Sequence, residues 1–508
     1  MMKKIIAMIL SVLTIVGCLA GCGGKANNGP QTGASNVEIS YLNQGFGSAW
    51  LDEVVEAFNA KYPEYHAFVR STADSGAATA SFGMSDIDTT DIYIGSEPKP
   101  TKYVLPLDDF LKTTAEGDAK AIQEKFPAEY LEAMRWEDGH IYSVGMNNSV
   151  LSIVYNTELF AKAGITTPPR TSDELASVCA KLLDEDIVPM CHFMNGGYWW
   201  KMNHFWWGQY DSVETFEDFY ANPTKDKFLA KDGRYKALKA CEKIVTPEYT
   251  MTGSNTESHV SIQTKFLAGR AAMMVNASWL STEMNNVEDL NKFDVMRPPM
   301  ISSIVEKCTT VKNDMQLRKV IDGIDAVLDG EKTEADFKTA DGYTIDNLTV
   351  SAEDWVLLYA ARTTIYSDSE ANSVFIPNYS DAQEGAQKFL SFCFSDEGYR
   401  IIADTLRTPM NLSLSQGEMD KTGYTVLQNS FIGLAEESEH YIFSKYRGKD
   451  RLFTDGGAWP FALESYFYVP MMSSRNESDR ITAEDAWKYM TDVITDNYEG
   501  WAANVKGE

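Results

Sequence analysis

The chain has 508 residues, of which 73 are acidic and 45 basic, so its formal net charge is −28 at pH 7. At roughly 100–200 residues per domain, this length allows two or three domains with substantial cores. A content of 44% hydrophobic and 12% aromatic residues excludes a mainly disordered chain. The negative charge argues against a nucleic-acid ligand and against binding to anionic lipids through a basic patch. It does not argue against a covalent lipid anchor, which depends on buried acyl carbon.

The N-terminus has the pattern of an export signal. Lys3 and Lys4 precede residues 5–16, which are almost wholly apolar but too short to span a bilayer comfortably. The sequence Leu-Ala-Gly-Cys at residues 19–22 follows and resembles the lipobox of bacterial lipoproteins. This resemblance implies that Cys22 becomes the lipidated first residue of the mature chain. The alternative is an ordinary secretory cleavage in which Cys22 is incidental.

Residues 1–21 are therefore the predicted signal peptide, and residues 22–36 are a predicted flexible tether. Residues 23–36 contain no large apolar side chain and are rich in Gly and Asn, which is typical of a solvated linker. The first segment that could enter a core follows directly.

Five cysteines remain after the leader and Cys22, with no CxxC pair and no metal-ligand spacing. An odd number in this arrangement favours reduced, buried thiols over a disulfide, which is the alternative. The five are Cys179, Cys191, Cys241, Cys308 and Cys393.

The first core-like segment reads as strand, loop, helix and strand. Residues 37–42 alternate as a strand and end in the polar loop 43–48, and a short buried strand is predicted at 90–95. The helix between them has apolar residues at helical spacing, namely Trp50, Leu51, Val54, Val55 and Phe58. This order predicts an α/β domain with a mainly parallel sheet, in which ligands collect at the carboxyl ends of strands.

A second unit is predicted to begin near residue 150. Residues 139–144 and 151–156 read as strands around a polar turn, and residues 158–163 as a short helix. Thr171 and Glu174 have the spacing of a capping box, in which each side chain binds the other's backbone amide. The helix that they start should bury Leu175, Val178, Cys179 and Leu182.

Several segments, in the same order, resemble the carbohydrate-type (family 1) extracellular solute-binding proteins of ABC importers. The resemblance covers some 360 residues, and no single segment carries it. The segments are 105–110 (LPLDDF), 139–144 (GHIYSV), 151–156 (LSIVYN), 158–165 (ELFAKAGI), 168–171 (PPRT) with Glu174-Leu175, 266–274 (FLAGRAAMM) with Ser278-Trp279, and 386–398 (AQKFLSFCFSDEG).

The resemblance implies an α/β, two-lobed, periplasmic-binding-protein-like (type II) fold with a ligand cleft between the lobes. Lobe 1 would take residues 37–146 and 295–400, and lobe 2 residues 150–290 and 405–508. The more charged segment near 305–350 departs from the family pattern and is predicted to be a surface insertion.

The same resemblance implies a function. The protein would be a monomer on the extracellular face of the cell membrane, held there by its lipid anchor alone. It would capture a sugar or oligosaccharide by hinge closure and deliver it to the permease subunits of an ABC transporter. No cofactor is implied.

The run at residues 198–207 holds four of the chain's eleven tryptophans. Trp199 and Trp206, and likewise Trp200 and Trp207, are seven residues apart, so each pair lies along one helical face. Such a stripe usually packs in a core, but four indoles cover more of a helix than one buried face needs. We therefore predict that at least one of Trp199, Trp200 and Trp206 contacts a ligand.

A sugar presents a flat apolar C–H face and a polar rim, so its site needs aromatic platforms beside hydrogen-bonding side chains. Trp279 lies where the family often places a stacking aromatic residue, although core packing is an equal alternative. Trp459 follows a glycine-containing run that predicts an exposed loop. The predicted polar rim comprises loop residues near strand ends, each of which could instead be a turn residue. These are Asn43, Gln44, Glu97 and Asn147.

The sequence shows no catalytic or metal-binding motif: there is no GxSxG, HExxH, phosphate-binding loop or GxGxxG, and the six histidines lack ligand spacing. The acidic run at residues 86–91 lacks the Gly and Glu of a calcium loop. We therefore predict a binding protein and not an enzyme, with no metal site. The alternatives are a secreted glycoside hydrolase, which would need two carboxyl groups at a defined separation, and a same-fold binder of a peptide or another solute.

Overall fold

The structure of the chain is a computed structural model. It describes residues 29–74, 88–96, 98, 101–284, 290–367, 371–443, 451–454, 467–468 and 480–506. The predicted signal peptide, Cys22, Glu97 and Trp459 lie outside the described residues.

The described strands form two large sheets and one small sheet. In chain order the strands are β1 (Ser35–Asn43), β2 (Tyr65–Asp74), β3 (Ile92–Ile94), β4 (Val144–Gly145), β5 (Val150–Asn156), β6 (Met273–Ala277), β7 (Phe293–Val295), β8 (Lys338–Thr339), β9 (Gly342–Ile345), β10 (Leu348–Val350), β11 (Thr364–Ser367), β12 (Ser373–Phe375) and β13 (His440–Phe443). The first sheet has the order β2-β1-β3-β12-β4, and the second has the order β13-β11-β5-β6, with β7 also paired to β5. The small sheet has the order β10-β9-β8.

Helices cover both large sheets. Those of nine or more residues in the described part are α1 (Ala49–Lys61), α2 (Ser172–Asp184), α3 (Trp199–Asp211), α4 (Val213–Ala221), α5 (Gly233–Glu242), α6 (His259–Leu267), α7 (Asp314–Leu328), α8 (Ala352–Arg362), α9 (Gln383–Phe394), α10 (Asp396–Leu406), α11 (Val426–Glu436) and α12 (Ala483–Lys506). Helices α1, α9 and α10 pack with the first sheet, and α3 and α11 pack with the second. Two separate α/β layers confirm the predicted two-lobed fold. Within the described residues, no helix combines the length and apolar character needed to cross a membrane.

The start of the first sheet confirms the predicted strand, helix and strand. Residues 37–42 lie within β1, and β3 pairs with β1 in parallel. Strand β2, which was not predicted, follows α1 and pairs with the other edge of β1, also in parallel. Gly95 follows β3 with φ +82°, where a Cβ would lie 2.2 Å from the Leu42 carbonyl oxygen, so glycine permits this close approach. Helix α1 buries the predicted positions Trp50, Leu51, Val54, Val55 and Phe58.

The predicted strand at residues 139–144 is wrong except at its end, where Val144 enters β4. Gly139 has φ +87°, and the chain reverses there. The Trp136 amide donates to the His140 carbonyl at 2.8 Å, and the Gly139 amide donates to the Trp136 carbonyl at 2.9 Å. These bonds use the backbone groups that a strand would pair with a neighbour, so the segment is a turn.

The predicted elements at the start of the second unit are confirmed in part. Strand β5 contains residues 151–156, and the short helix Thr157–Lys162 follows it. At the start of α2, the Thr171 hydroxyl accepts from the Glu174 amide at 3.2 Å, as predicted. The second half of the capping box is wrong: the Glu174 carboxylate accepts from the Arg170 amide at 2.8 Å, because the Arg170 guanidinium also binds it. Helix α2 buries Leu175, Val178, Cys179 and Leu182, as predicted.

The strand pairing divides the chain differently from the predicted lobe ranges. Residues 295–400 were assigned to lobe 1, but β7 and β11 both pair with β5 in the second sheet. The chain returns to the first sheet only at β12, which pairs with β3 and β4. Two long-range antiparallel pairings therefore hold the chain between β7 and β11 on the second lobe.

The segment near 305–350, predicted to be a surface insertion, is anchored to the second lobe. It forms α7 and the small sheet, and α7 packs against α8. The Asp325 carboxylate on α7 accepts two bonds of 2.7 Å from the Arg362 guanidinium, and Arg297 lies 3.0 Å from the same carboxylate. The buried face of α7 consists of Leu317, Val320, Ile321, Gly323 and Ile324. The charged residues of this segment thus accompany an ordinary amphipathic helix.

The five cysteines predicted to be reduced are free and buried, which confirms that prediction. Burial raises the pKa of the Cys179, Cys191 and Cys393 thiols, because a thiolate loses its hydration in an apolar interior. These thiols are therefore un-ionised core side chains at neutral pH.

A buried lysine joins three parts of the first lobe. The Lys125 ammonium donates to the Asp118 carboxylate at 2.7 Å, to the Phe394 carbonyl at 2.6 Å and to the Asp396 carboxylate at 2.8 Å. Its three N–H groups are thus all used. Burial alone would raise the pKa of Asp396, but hydrogen bonds from Lys125 and Ser415 lower it to about 2. The positive charge of Lys125 in the core is therefore balanced by two carboxylates and one carbonyl group.

We expect Lys125→Met to lower the free energy of unfolding by about 3–5 kcal/mol, because it leaves the buried Asp118 carboxylate without a counter-charge. The measurement is urea denaturation followed by circular dichroism. The matched control is Lys112→Met, since Lys112 pairs with Asp109 on the surface and its loss should leave the midpoint unchanged. Equal midpoints for the two variants would contradict a structural role for the buried lysine.

Candidate functional site

The loop after β1, residues 43–48, is shaped by its first residue. The Asn43 carboxamide oxygen accepts from the Gly45 amide at 3.1 Å and from the Gly47 amide at 3.0 Å. Both glycines have positive φ, +95° and +65°, so the chain curls around the Asn43 side chain. Asn43, a predicted rim residue, therefore sets the path of the loop.

This loop reaches the second lobe. The Phe46 ring is buried and lies edge-on to the Trp279 ring, with 6.5 Å between centroids. A Cβ at Gly45 would lie 2.7 Å from Oε1 of Glu283, which belongs to the short helix Leu280–Glu283 after β6. The two lobes thus meet at this edge of the cleft, where the Glu283 carboxylate lies against Gly45.

Four aromatic rings surround one lysine beside this contact. The Lys201 ammonium lies 5.2 Å from the ring centroid of Tyr198 and 5.3 Å from those of Trp200, Trp279 and Tyr366. Tyr198, Trp200 and Lys201 come from the start of α3, Trp279 follows β6, and Tyr366 lies on β11. We call these five residues the Lys201 ring set. A cation among ring faces is favoured by the ring quadrupoles, more strongly when it is withdrawn from water.

Of the predicted aromatic contacts, Trp200 and Trp279 are therefore brought together in the ring set. Trp279 is buried and Trp200 is half-buried. The Trp279 ring also packs edge-on against Tyr198 at 5.3 Å, and the Trp200 ring packs against Tyr366 at 6.2 Å. Side chains that are 79 positions apart in the chain thus form one apolar surface beside the lobe contact.

Trp199 and Trp206 lie on another face of α3, inside the core. Both are fully buried, and their ring centroids are 6.0 Å apart. The Trp206 indole N–H donates to the Pro299 carbonyl at 2.8 Å, and the Trp199 indole N–H donates to Nδ1 of His192 at 2.8 Å. Burial lowers the pKa of His192 to about 3, so this ring is neutral. The contacts of these two tryptophans are those of core residues.

Asn147 and Gln44, predicted as separate rim residues, meet through a residue that was not predicted. Asn147 lies where the chain crosses from β4 to β5 and is fully buried. Its carboxamide oxygen accepts from the Asn372 carboxamide at 2.8 Å. The Gln44 carboxamide oxygen accepts from the Asn372 backbone amide at 3.3 Å. Three amide side chains thus gather where the loop after β1 meets the crossing segments.

One carboxylate lies at the same edge. The Gln263 side chain donates to the Glu283 carboxylate at 2.8 Å. Burial raises the pKa of Glu283, and this hydrogen bond opposes the shift. Glu283 thus adds an acceptor beside Gly45 and Trp279. Within the described part of the chain, no three His, Cys, Asp or Glu side chains are grouped so that they could hold a metal ion.

Six members of this region were missed as site residues by the sequence analysis: Phe46, Tyr198, Lys201, Glu283, Tyr366 and Asn372. Lys201 had a signal, because it is the one lysine inside the tryptophan-rich run. No such signal marked Tyr366 and Asn372. Strand pairing brings these residues next to α3 and Asn147, which lie more than 150 residues earlier in the chain. Glu97 and Trp459 stay predictions, since they lie outside the described residues.

The chain belongs to a known family. Residues 43–305, more than half of its length, match the model of the bacterial extracellular solute-binding protein family. The chain is therefore a member of that family, as the order of its segments predicted. The family consists of substrate-binding receptors and not of enzymes, which confirms the prediction of a non-enzyme and leaves the hydrolase alternative without support.

Curated relatives match only part of their own length. A binding protein of Brucella abortus is 24% identical over 274 residues, which are 49% of this chain and 59% of that protein. The sn-glycerol-3-phosphate-binding periplasmic protein UgpB of Yersinia enterocolitica is 26% identical over 210 residues, 41% of this chain and 43% of that protein. The chain thus spans about half the length of the curated relatives it matches.

Solved structures agree in fold over almost the whole chain. The bacterial solute receptor AcbH, described as having an exclusive preference for β-D-galactopyranose, has a TM-score of 0.59 and 11% identity, and the match covers 92% of this chain and 99% of that one. The GacH receptor of Streptomyces glaucescens, solved unliganded and with acarbose, has a TM-score of 0.58 and 14% identity, with 92% and 99% covered. At such identities the likeness establishes the two-lobed fold.

The two faces of α3 should respond differently to truncation. We expect Trp200→Ala and Trp279→Ala to weaken ligand binding about ten- to a hundredfold, on the order of 1–3 kcal/mol, because each removes a stacking surface. Trp206→Ala, the control on the same helix, should instead lower the free energy of unfolding by about 3–5 kcal/mol. The affinity of each variant is measured by calorimetry with a solute that raises the melting temperature of the unmodified protein. Its stability is measured by thermal melting without that solute. Loss of stability without loss of affinity in all three would contradict the aromatic-platform prediction.

Proposed function

We propose that this protein is a lipid-anchored extracellular receptor that captures a sugar or oligosaccharide between its lobes and delivers it to an ABC transporter permease. The observation that carries the proposal is the Lys201 ring set beside the amide side chains of Gln44, Asn147 and Asn372. Aromatic faces match the apolar C–H face of a sugar ring, and amides match its hydroxyl groups, since each amide can both donate and accept.

The sugar-binding solved receptors of the same fold support this choice of ligand class. AcbH has its preference for β-D-galactopyranose, and GacH was solved with acarbose. Among the described residues, the predicted contacts of this chain that lie in this region are Asn43, Gln44, Asn147, Trp200 and Trp279. Glu97 and Trp459 would complete the set. The buried positions of Trp199 and Trp206 favour a supporting role for those two.

A solute with an anionic group is the second candidate, on one observation. The Lys201 ammonium lies among the four rings at the proposed site, and a cation there would favour a carboxylate or a phosphate on the ligand. The relative UgpB is described as binding sn-glycerol-3-phosphate. A neutral sugar would use the same ammonium as a hydrogen-bond donor.

The lobe contact supports capture by closure. Residues 43–48 of the first lobe touch Trp279 and Glu283 of the second, beside the ring set. A ligand that contacts both lobes stabilises the closed arrangement more than the open one, and this difference in affinity drives closure. The ligand would thus be held between the rings of one lobe and the loop of the other.

We expect a neutral sugar from a defined panel to raise the melting temperature, and the same sugar to reduce the radius of gyration in small-angle X-ray scattering. The panel comprises D-galactose, raffinose, acarbose, xylobiose and chitobiose, with sn-glycerol 3-phosphate as the anionic probe. Stabilisation follows the ratio of ligand concentration to Kd. Recovery of the intact sugar checks that no bond is cleaved. If no sugar stabilises the protein while glycerol phosphate does, the second candidate replaces the first.

The anchor has its own test, because Cys22 is the residue on which the lipobox depends. We expect Cys22→Ala to move the protein from the membrane fraction to the medium, or to leave an unprocessed precursor, when it is expressed in a Gram-positive host. Thermal stability should be unchanged, since the tether separates Cys22 from both lobes. Cys18→Ala, four residues upstream, is the matched control and should remain in the membrane fraction. A membrane-bound, normally processed Cys22→Ala variant refutes the anchor.

A further inference from the structure

Two amide groups at the crossing between the lobes are only half used. Asn147 and Asn372 are both fully buried, and the Asn372 carboxamide donates to the Asn147 carboxamide oxygen at 2.8 Å. The other halves of these side chains, Nδ2 of Asn147 and Oδ1 of Asn372, are buried without any hydrogen-bond partner. What remains is one N–H donor group and one carbonyl acceptor, on two side chains that are bonded to each other. If the oxygen and nitrogen atoms of both carboxamides were exchanged, one N–H donor group and one carbonyl acceptor would still be unused.

Some neighbouring polar side chains at this crossing have partners, whereas the Ser149 and Thr408 hydroxyls are buried without one, like the unused groups of the pair. The Asn411 carboxamide donates to the carbonyls of Gly145 at 3.0 Å and Asn147 at 2.8 Å. The Asn148 carboxamide accepts from the Ser367 hydroxyl. Buried polar groups are paired in the great majority of cases, because an unpaired one loses its hydration with nothing in return. The unused donor and acceptor therefore indicate a group that comes from outside the chain.

The backbone at Asn372 is held in an unusual conformation. Its φ is +49°, in the left-handed region that side chains other than glycine seldom adopt. Two bonds keep it there: the Asn372 amide donates to the Gln44 carboxamide at 3.3 Å, and the Asn372 carbonyl accepts from the Met146 amide at 3.4 Å. Strain that is maintained by the surroundings is characteristic of functional positions.

The pair lies next to the ring set along the chain and across the sheets. Tyr366 of the ring set is followed by Ser367, whose hydroxyl binds Asn148, the neighbour of Asn147. On the other side, Gln44 connects Asn372 to the loop that carries Phe46. The pair is therefore connected to the ring set through β11 on one side and through the loop after β1 on the other.

We propose that the Asn147–Asn372 pair receives one hydroxyl group of the bound sugar. Nδ2 of Asn147 donates to the hydroxyl oxygen, and the hydroxyl hydrogen is donated to Oδ1 of Asn372. A hydroxyl is the small group that supplies one donor and one acceptor at a single atom. The pair then selects a sugar by the presence and position of one hydroxyl, since an analogue without it leaves both amides unpaired. This inference rests on the proposed function and assigns it a specificity-determining site.

The test is a thermodynamic cycle that combines one substitution in the protein with the removal of one hydroxyl group from the ligand. Asn372→Gly removes the side chain and keeps the left-handed backbone. The sugar is the member of the neutral panel that stabilises the unmodified protein, and its partners are its monodeoxy analogues. On the unmodified protein, we expect one deoxy analogue to bind at least about tenfold more weakly than the parent sugar. The Asn372→Gly variant should bind the parent sugar at least about tenfold more weakly than the unmodified protein does. The same variant should bind that deoxy analogue about as well as it binds the parent sugar.

Asn347→Gly is the matched control, because Asn347 has φ +62° and is exposed in the turn between β9 and β10. It should leave every affinity unchanged. If Asn372→Gly does not fold, Asn147→Ala replaces it, since it removes the proposed Nδ2 donor and leaves the backbone at Asn372 unchanged.

Two outcomes overturn the inference, and they are distinguishable. In the first, a sugar binds, but each deoxy analogue loses the same affinity on the unmodified protein as on the variant. The pair then binds a water molecule or only joins the crossing segments, and the proposed function stands. If no sugar in the panel binds, the proposed function and the inference fail together.

Discussion

The described chain passes between its two sheets three times, and hydrogen bonds join these passages into one unit. The crossing from β4 to β5 is bonded to the segment after α10, where the Asn148 amide donates to the Pro409 carbonyl at 2.8 Å and the Asn411 carboxamide holds two carbonyls. It is bonded to the start of β12 through Asn372. A few buried amides thus hold the crossing segments of the two lobes to one another.

The chain is strongly acidic, but it also buries a small number of cationic side chains. The groups that surround the positive charge differ from one of these side chains to the next. Lys125 is surrounded by two carboxylates and a carbonyl in the first lobe, and Arg362 is paired with Asp325 in the second. Lys201 lies among four rings at the cleft. Lys125 links the short helix Ile122–Lys125 to the junction of α9 and α10, and Arg362 links α8 to α7. Removing either counter-charge pair from the core would be costly. The third cationic side chain lies beside the contact between the two lobes.

Helix α3 connects the core of the second lobe with the cleft. Trp199 and Trp206 pack inside, and their indole N–H groups are used by His192 and the Pro299 carbonyl. Trp200 and Lys201, on another side of the first turn, join rings from β11 and from the residue after β6. The buried pair thus fixes the position of the turn that carries Trp200 and Lys201. This division explains how one aromatic run both packs in the core and reaches the contact between the lobes.

The sequence by itself determined the family, the two-lobed α/β fold and the start of the first sheet, because these depend on local periodicity, capping and the order of segments along the chain. It did not determine which strands pair across the lobes: residues 295–367 lie with the second sheet because β7 and β11 bond to β5, and no local pattern encodes that choice. For the same reason it listed Trp199, Trp200 and Trp206 together, although only Trp200 reaches the ring set. The meeting of Trp279 with Lys201, and of Asn147 with Asn372, was decided by tertiary structure alone, since contacts between residues far apart in the chain depend on packing and not on local sequence.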